Sequence, residues 1–297
     1  MLHTARELLR AGVTTARDLG ARSFLDVAVR DAIARGIADG PRLVTAARPL
    51  TPTGGFMTDG SAPWFAQFSL AELTTVVAES HRLGKRVAAH AHGREGIARA
   101  VAARVDSIEH CSFAGQDGKF GSDFDPALAD EIAAAGIYVC PTMNVHALTM
   151  RDRFGDALEK VITALHSRGV QLIAGTDAGI DNCPHGGYAC GLEALAAAGL
   201  PPAEVLDAAT LRAARALGVD DRTGSIAPGK DADIVAVRGD PLRDISALRR
   251  VELVVARGTQ HVPAAQPAWV RAGQAGDGAG PAGADAGLVE PARHGSL

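Results

Sequence analysis

One unit, repeated with variations, does most to limit what this chain can fold into. An amphipathic stretch rich in alanine or leucine ends at a glycine, a short β-branched run follows, and a polar residue closes it. "TARELLRAGVTTARD" does this at the start, and "AELTTVVAESHRLGKRVAAHAHG" does it again at residues 71 to 93. "GIARAVAARVDSIEHC" (96 to 111), "PALADEIAAAGIYVCPT" (126 to 142) and "ALEKVITALHSRGVQLIAGTDAG" (157 to 179) repeat it. Helix-period segments alternating with almost wholly apolar strands call for crossover helices over a parallel sheet covered on its faces. The fold expected is α/β. Gly12, Gly84, Gly136 and Gly169 stand where each helix would close in the left-handed conformation before the next strand.

The residues that close these runs carry the chemistry. They are Asp18, then His90 and His92, His110, Pro141 with Thr142, and Thr176 with Asp177. In a parallel sheet or (β/α) barrel, side chains at the carboxyl ends of strands converge on one mouth. Three strands thereby aim imidazole, imidazole and carboxylate at one place. Neutral imidazoles with a carboxylate suit zinc or a similar divalent ion, and an ion with an open position activates water at neutral pH.

Each of these residues also has a plainer reading. A histidine at a strand end can be a hydrogen-bonded structural group, Asp177 an N-cap, and Arg17 with Asp18 a buried ion pair supporting the fold. His81 and His166 fall within helix-period stretches and read as surface or satisfied groups. His146 and His185 follow strand ends within loops, where they can contact substrate or be solvated. Cys183 and His185 in "NCPHGG" have the chemistry of a thiol nucleophile or a metal clip, but no third partner is visible. The concurrence of several strand ends, rather than any one residue, favours metal.

Composition excludes other classes. The chain has 297 residues, 47% hydrophobic and 22% charged, enough for one large domain or a domain with a small satellite. A net charge of -4 with no Lys/Arg cluster gives no footprint for nucleic acid or an anionic membrane. "MLHTARELLRAGVTTARDLG" lacks the pattern of a secretory signal, no run of 18 apolar residues occurs, and a cytoplasmic protein is expected. Cys111, Cys140, Cys183 and Cys190 have no C-x-x-C spacing and read as reduced thiols. Lysine occurs only at 85, 119, 160 and 230.

"AGVTTARDLG", "GPRLVTAARPLTPTGG", "VAAHAHG", "DSIEHC", "AGTDAG" and "TGSIAPGKDADIVAVRGDPL" follow, in order, the pattern of the amidohydrolase superfamily. Over about residues 4 to 260 the chain most resembles its imidazolonepropionase-like and Xaa-Pro dipeptidase-like (prolidase-type) branch. The resemblance implies a (β/α)8 metal-dependent hydrolase barrel with a small β-sandwich built from both chain ends. It implies one or two divalent metals and hydrolysis of C–N bonds in small amides, such as dipeptides or N-acyl amino acids, by a metal-activated water. By position it implies His90 and His110 as metal ligands on the family's fifth and sixth strands. Asp177 matches the eighth-strand aspartate that binds metal and exchanges protons with the attacking water, and His92 matches a position near substrate. The loops after strands seven and eight, with Asn144, His146, Asp181 and His185, are expected to set substrate choice.

Departures from that pattern are specific. The family's first strand ends in His-x-His, and the chain's first residue falls just after where that run should stand; His3 in "MLHT" has no histidine two residues away. The lysine whose carbamate bridges two metals has no counterpart, since no lysine precedes Lys85. Segments resembling those after strands three and four are joined at one Thr-Gly-Gly, as if a strand-plus-helix unit were missing. About six barrel strands can be counted, near 13–17, 42–46, 86–91, 105–110, 137–141 and 170–176. An incomplete barrel leaves unpaired strand edges, which allow a homo-oligomer, and its ligand set suits one Zn2+ ion rather than two. Residues 1–218 are expected to form the incomplete barrel, 219–262 the C-terminal part of the β-sandwich, and the Ala/Gly/Pro-rich 263–297 a disordered tail. A second functional reading is a catalytically inactive remnant that serves as a binding or assembly subunit. A doubly wound nucleotide-binding domain is disfavoured, because no Gly-rich phosphate loop follows the first strand.

Overall fold

The computed structural model describes residues 1–51, 64–149, 156–180 and 183–264. Within them the apolar runs form six short parallel strands: β1 (Thr15–Asp18), β2 (Arg42–Thr45), β3 (Ala88–Ala91), β4 (Ser107–His110), β5 (Tyr138–Cys140) and β6 (Gln171–Leu172). The fold is α/β and the barrel incomplete, as the sequence suggests, but the wall comes in two pieces. β1 pairs only with β2, and β3-β4-β5-β6 form a separate sheet of four. The Thr-Gly-Gly junction at 53 to 55 lies outside the described residues. The last strand is also shorter than its apolar run, covering only Gln171–Leu172.

Register decides which side chains meet the helices. Ala89, Ile108, Val139 and Leu172 are successive register partners across the four-strand sheet, and the last three are fully buried. That row faces outward, against Ile97, Ala100 and Val101 of the helix Arg94–Ala102, Leu128, Ala129 and Ile132 of Pro126–Ala135, and Val161, Ile162 and Leu165 of Asp156–Ser167. Spacings of three and four put each helix's apolar residues on one face. The alternate row, His90–Glu109–Cys140, points the other way, into the barrel interior.

The helix ends follow local rules. Ser69 and Glu72 make a reciprocal capping box on Leu70–Arg82, and the Asp125 carboxylate accepts from the N–H groups of Ala127 and Leu128 ahead of Pro126. Gly12, Gly84, Gly136 and Gly169 all take positive φ, from 65° to 99°, at the turns into the following strands.

A three-stranded antiparallel sheet follows: β7 (Ile234–Val237), β8 (Val251–Ala256) and β9 (Thr259–His261). Arg42 of β2 holds it in place through ion pairs with Asp231 and Asp233. Leu9 of the first helix, Leu2–Arg10, is buried against Val254 and Ala256. The described residues make up one unit. The tail expected from 263 onward lies almost wholly outside the described residues. No helix among the described residues is long and apolar enough to cross a membrane.

Candidate metal centre

His90 belongs to the inward row of β3, and His92, two residues on, inherits the same side. His110 does not reach the site by alternation alone. It pairs in register with Ala91, which is buried among the helix-facing residues, so a continued pleat would send the imidazole outward. Its backbone is left-handed instead, with φ 70°, and this turns the ring back toward the other two. Thr142, two residues past β5, and Asp177, five residues past β6, also have left-handed backbones, with φ 52° and 54°. Non-glycine residues rarely hold this conformation, and it persists where the surroundings over-determine it. Here it recurs at three successive strand exits on one rim.

The three imidazoles form a tight group. One ligand-capable atom from each of His90, His92 and His110 lies within 4.8 Å of those from the other two. The rings of His92 and His110 stack at 4.3 Å and 21°, while His90 stands edge-on to both, at 4.9 and 4.5 Å. His92 Nδ1 is 2.8 Å from Ser112 Oγ, and His110 Nδ1 is 2.8 Å from Thr142 Oγ1. Phe120 lies parallel to the His92 ring, 6.0 Å between centroids.

Electrostatics keep these rings neutral. Burial, followed by the nearby charges of His92 and His90, pushes His110 down to about 2. Burial and then His90 push His92 down to about 4. His90 keeps solvent access at the mouth, yet burial of much of its ring lowers its pKa too, against the opposing pull of Asp177 and Glu109. At pH 7 all three are Lewis bases, the form a metal ligand requires. Asp177 is not part of the three-imidazole group, but its charge acts on His90. Burial raises its pKa, His90 lowers it and Glu109 raises it.

Beneath the group lies a polar floor. Glu109 is buried and binds Arg17 of β1, Nη2 to Oε1 2.5 Å; Arg17 Nη1 also donates to Ser107 Oγ at 2.9 Å, and Ser107 Oγ donates to Glu109 at 2.8 Å. The ion pair considered between Arg17 and Asp18 therefore takes a different form. Neighbours on a strand point to opposite faces, so Arg17 pairs across the interior, and the Asp18 carboxylate instead accepts the Gly20 N–H at 2.9 Å.

The loop residues are spread around this centre. Asn144 Nδ2 donates to the Thr176 carbonyl at 3.0 Å and its Oδ1 accepts the His146 N–H at 2.9 Å, tying the exit of β5 to that of β6. His146 stands in a short helix, Val145–Thr149, rather than in a loop. The His185 ring packs over Gly179, and burial lowers its pKa. Neither His146 nor His185 joins the three imidazoles. Asp181 lies outside the described residues. Cys183 donates its thiol hydrogen to the Thr176 carbonyl at 3.6 Å, and burial pushes its pKa up to about 11, poor properties for a nucleophile. His81 lies on its helix surface with Nε2 2.9 Å from Asp106 Oδ2. In the sequence Ser112 and Glu109 carry no mark of a site by themselves, and Thr142 reads only as a strand end. The available signal was the polar alternation of "SIEH" in an otherwise apolar strand, and a hydroxyl residue close after each of two strand ends.

A family model described as the amidohydrolase family matches residues 1–260. Ochratoxinase of Aspergillus niger is 30% identical over 242 residues, covering 76% of this chain and 47% of that protein. Imidazolonepropionase of Cereibacter sphaeroides is 30% identical over 171 residues, covering 56% of this chain and 39% of that protein. The chain thus spans about half the length of the curated relatives it matches or less. A crystal structure of a Xaa-Pro dipeptidase with bound methionine in the active site superposes with a TM-score of 0.77 at 26% identity, covering 87% of this chain and 77% of the other.

Proposed function

The chain belongs to the amidohydrolase family, whose members are metal-dependent, and from that premise we propose that it hydrolyses a C–N bond in a small amide such as a dipeptide or an N-acyl amino acid. The observation that carries this reading is the trio of neutral imidazoles, His90, His92 and His110, with ligand atoms within 4.8 Å of one another at the strand exits. Neutral nitrogen donors with a carboxylate beside them suit one divalent ion of borderline softness, and zinc is the ion we assign. His92 then serves as a ligand with His90 and His110, a larger part than a substrate contact. Such an ion supplies Lewis acidity toward a carbonyl oxygen and lowers the pKa of water.

The chain's own groups supply the rest. Asp177, beside His90 and with its pKa raised by burial, is suited to take a proton from water on one carboxylate oxygen and give it to the departing nitrogen. Phe120, parallel to His92, gives the mouth an apolar wall. His146 and His185 flank it as substrate contacts, and Asn144 holds the two loops together. Ochratoxinase and the Xaa-Pro dipeptidase support hydrolysis as the reaction class. No observation favours the reading as an inactive assembly subunit.

Metal analysis combined with a panel of dipeptides and N-acyl amino acids tests the proposal. The expected result is close to one zinc per chain and hydrolysis that falls by roughly 10²–10⁴-fold in Asp177→Asn while zinc is retained. A chain that takes up no divalent ion and turns over no amide would sink it.

A further inference from the structure

His92 and His110 are held by the same device. His92, just past β3, meets Ser112, just past β4; His110, at the end of β4, meets Thr142, just past β5. Each ring thus takes a hydroxyl from the exit of the next strand. At Thr142 the direction of the bond can be read. Its Oγ1 also lies 2.8 Å from the Pro141 carbonyl, an acceptor only, so the single hydroxyl hydrogen is given to Pro141. Thr142 Oγ1 can then only accept from His110, whose Nδ1 must carry the ring hydrogen. The backbone agrees that this contact is held against local preference, because φ 52° is uncommon for a β-branched residue.

We infer that Thr142 is a positioning residue, which fixes His110 as the tautomer protonated at Nδ1 and so keeps Nε2 as its basic nitrogen. This goes one step beyond the metal reading proposed above and rests on it for its purpose, though not for its geometry. A hydrogen bond to the far nitrogen of a ligating imidazole sets ring orientation and tautomer, and its loss typically costs 10–100-fold in metal affinity.

Nitrogen NMR of the metal-free protein, labelled with 15N in histidine, provides the test. The His110 signals are identified by their disappearance in His110→Ala. We expect a protonated Nδ1 and bare Nε2 in the native chain, a mixture of tautomers in Thr142→Val, and return of the native pattern in Thr142→Ser. Titration of the native chain and both variants with Co2+, read by its visible absorption, is then expected to show affinity about 10–100-fold weaker for Thr142→Val and close to native for Thr142→Ser. His110 protonated at Nε2 in the native chain overturns the inference, as does a Thr142→Ser variant no better than Thr142→Val. The native spectrum decides even if Thr142→Val fails to fold. A native chain with the expected tautomer that binds no Co2+ upholds the positioning of His110 and removes the metal reading.

Discussion

Arg17 and Glu109 lie 92 residues apart in sequence and meet inside the molecule, guanidinium to carboxylate at 2.5 Å, joining the two-strand sheet to the four-strand sheet. Removing one partner leaves a buried charge without compensation, which is far more costly than removing both. Arg17→Ala is therefore expected to lower stability by about 3 kcal/mol in urea unfolding. The double variant Arg17→Met with Glu109→Leu should recover most of that loss. Equal losses in the two would show that an unpaired Glu109 charge is not what the single substitution costs.

Acid should weaken the metal-free protein through its imidazoles. His92 and His110 have folded-state pKa values of about 4 and about 2, both below the ordinary 6.5. Below pH 6.5 the unfolded chain binds more protons than the folded one. The stabilisation is therefore complete above that pH and is lost as pH falls, through about 4 for His92 and on toward about 2 for His110. Each ring contributes a slope of up to about 1.4 kcal/mol per pH unit. Unfolding midpoints measured between pH 7 and pH 4 should fall steeply for the native chain and less steeply for His110→Asn. A slope indifferent to that substitution would count against the burial of the ring.

Gly191 offers a test of packing that runs against helix propensity. It lies within the helix Tyr188–Ala197, where alanine is ordinarily preferred, but a Cβ there would come within 2.1 Å of the Met143 carbonyl oxygen. Gly191→Ala is expected to destabilise by roughly 1–3 kcal/mol, because backbone cannot move aside as a side chain can. Gly186→Ala, where a Cβ meets nothing within 4 Å, should stay close to native in the same thermal melts.

Divalent metal should stabilise the folded chain by mass action. Zinc at a free concentration 100 times its dissociation constant is expected to add about 2.7 kcal/mol, seen as a rise in melting temperature that a chelator reverses. His110→Ala should abolish the rise. A rise that survives that substitution would place the bound ion elsewhere.

Much of this structure could be read from local chemistry. Gly136 closes its helix with φ 68° because the strand from Tyr138 must start at once, and a residue without Cβ marks such a turn in any sequence. The inward position of His90 and His92 follows from a spacing of two on a strand. His110 was harder, since alternation points it the wrong way and only its left-handed backbone, invisible in "SIEH", brings it round. The partner of Arg17 was not legible either. Asp18 is adjacent in sequence, but the choice of Glu109 depends on which faces the two sheets turn toward each other. The division of six strands into two sheets likewise reflects pairing between distant segments, about which apolar periodicity is silent.

The two-part wall has a consequence for how such a molecule can change. His90, His92, His110 and Asp177 all hang from the four-strand sheet or its exits, while the two-strand sheet reaches the polar floor through Arg17. The reactive groups and the fracture are thus separable. The smaller sheet can therefore shift while the imidazoles keep their settings, so long as Arg17 stays on Glu109.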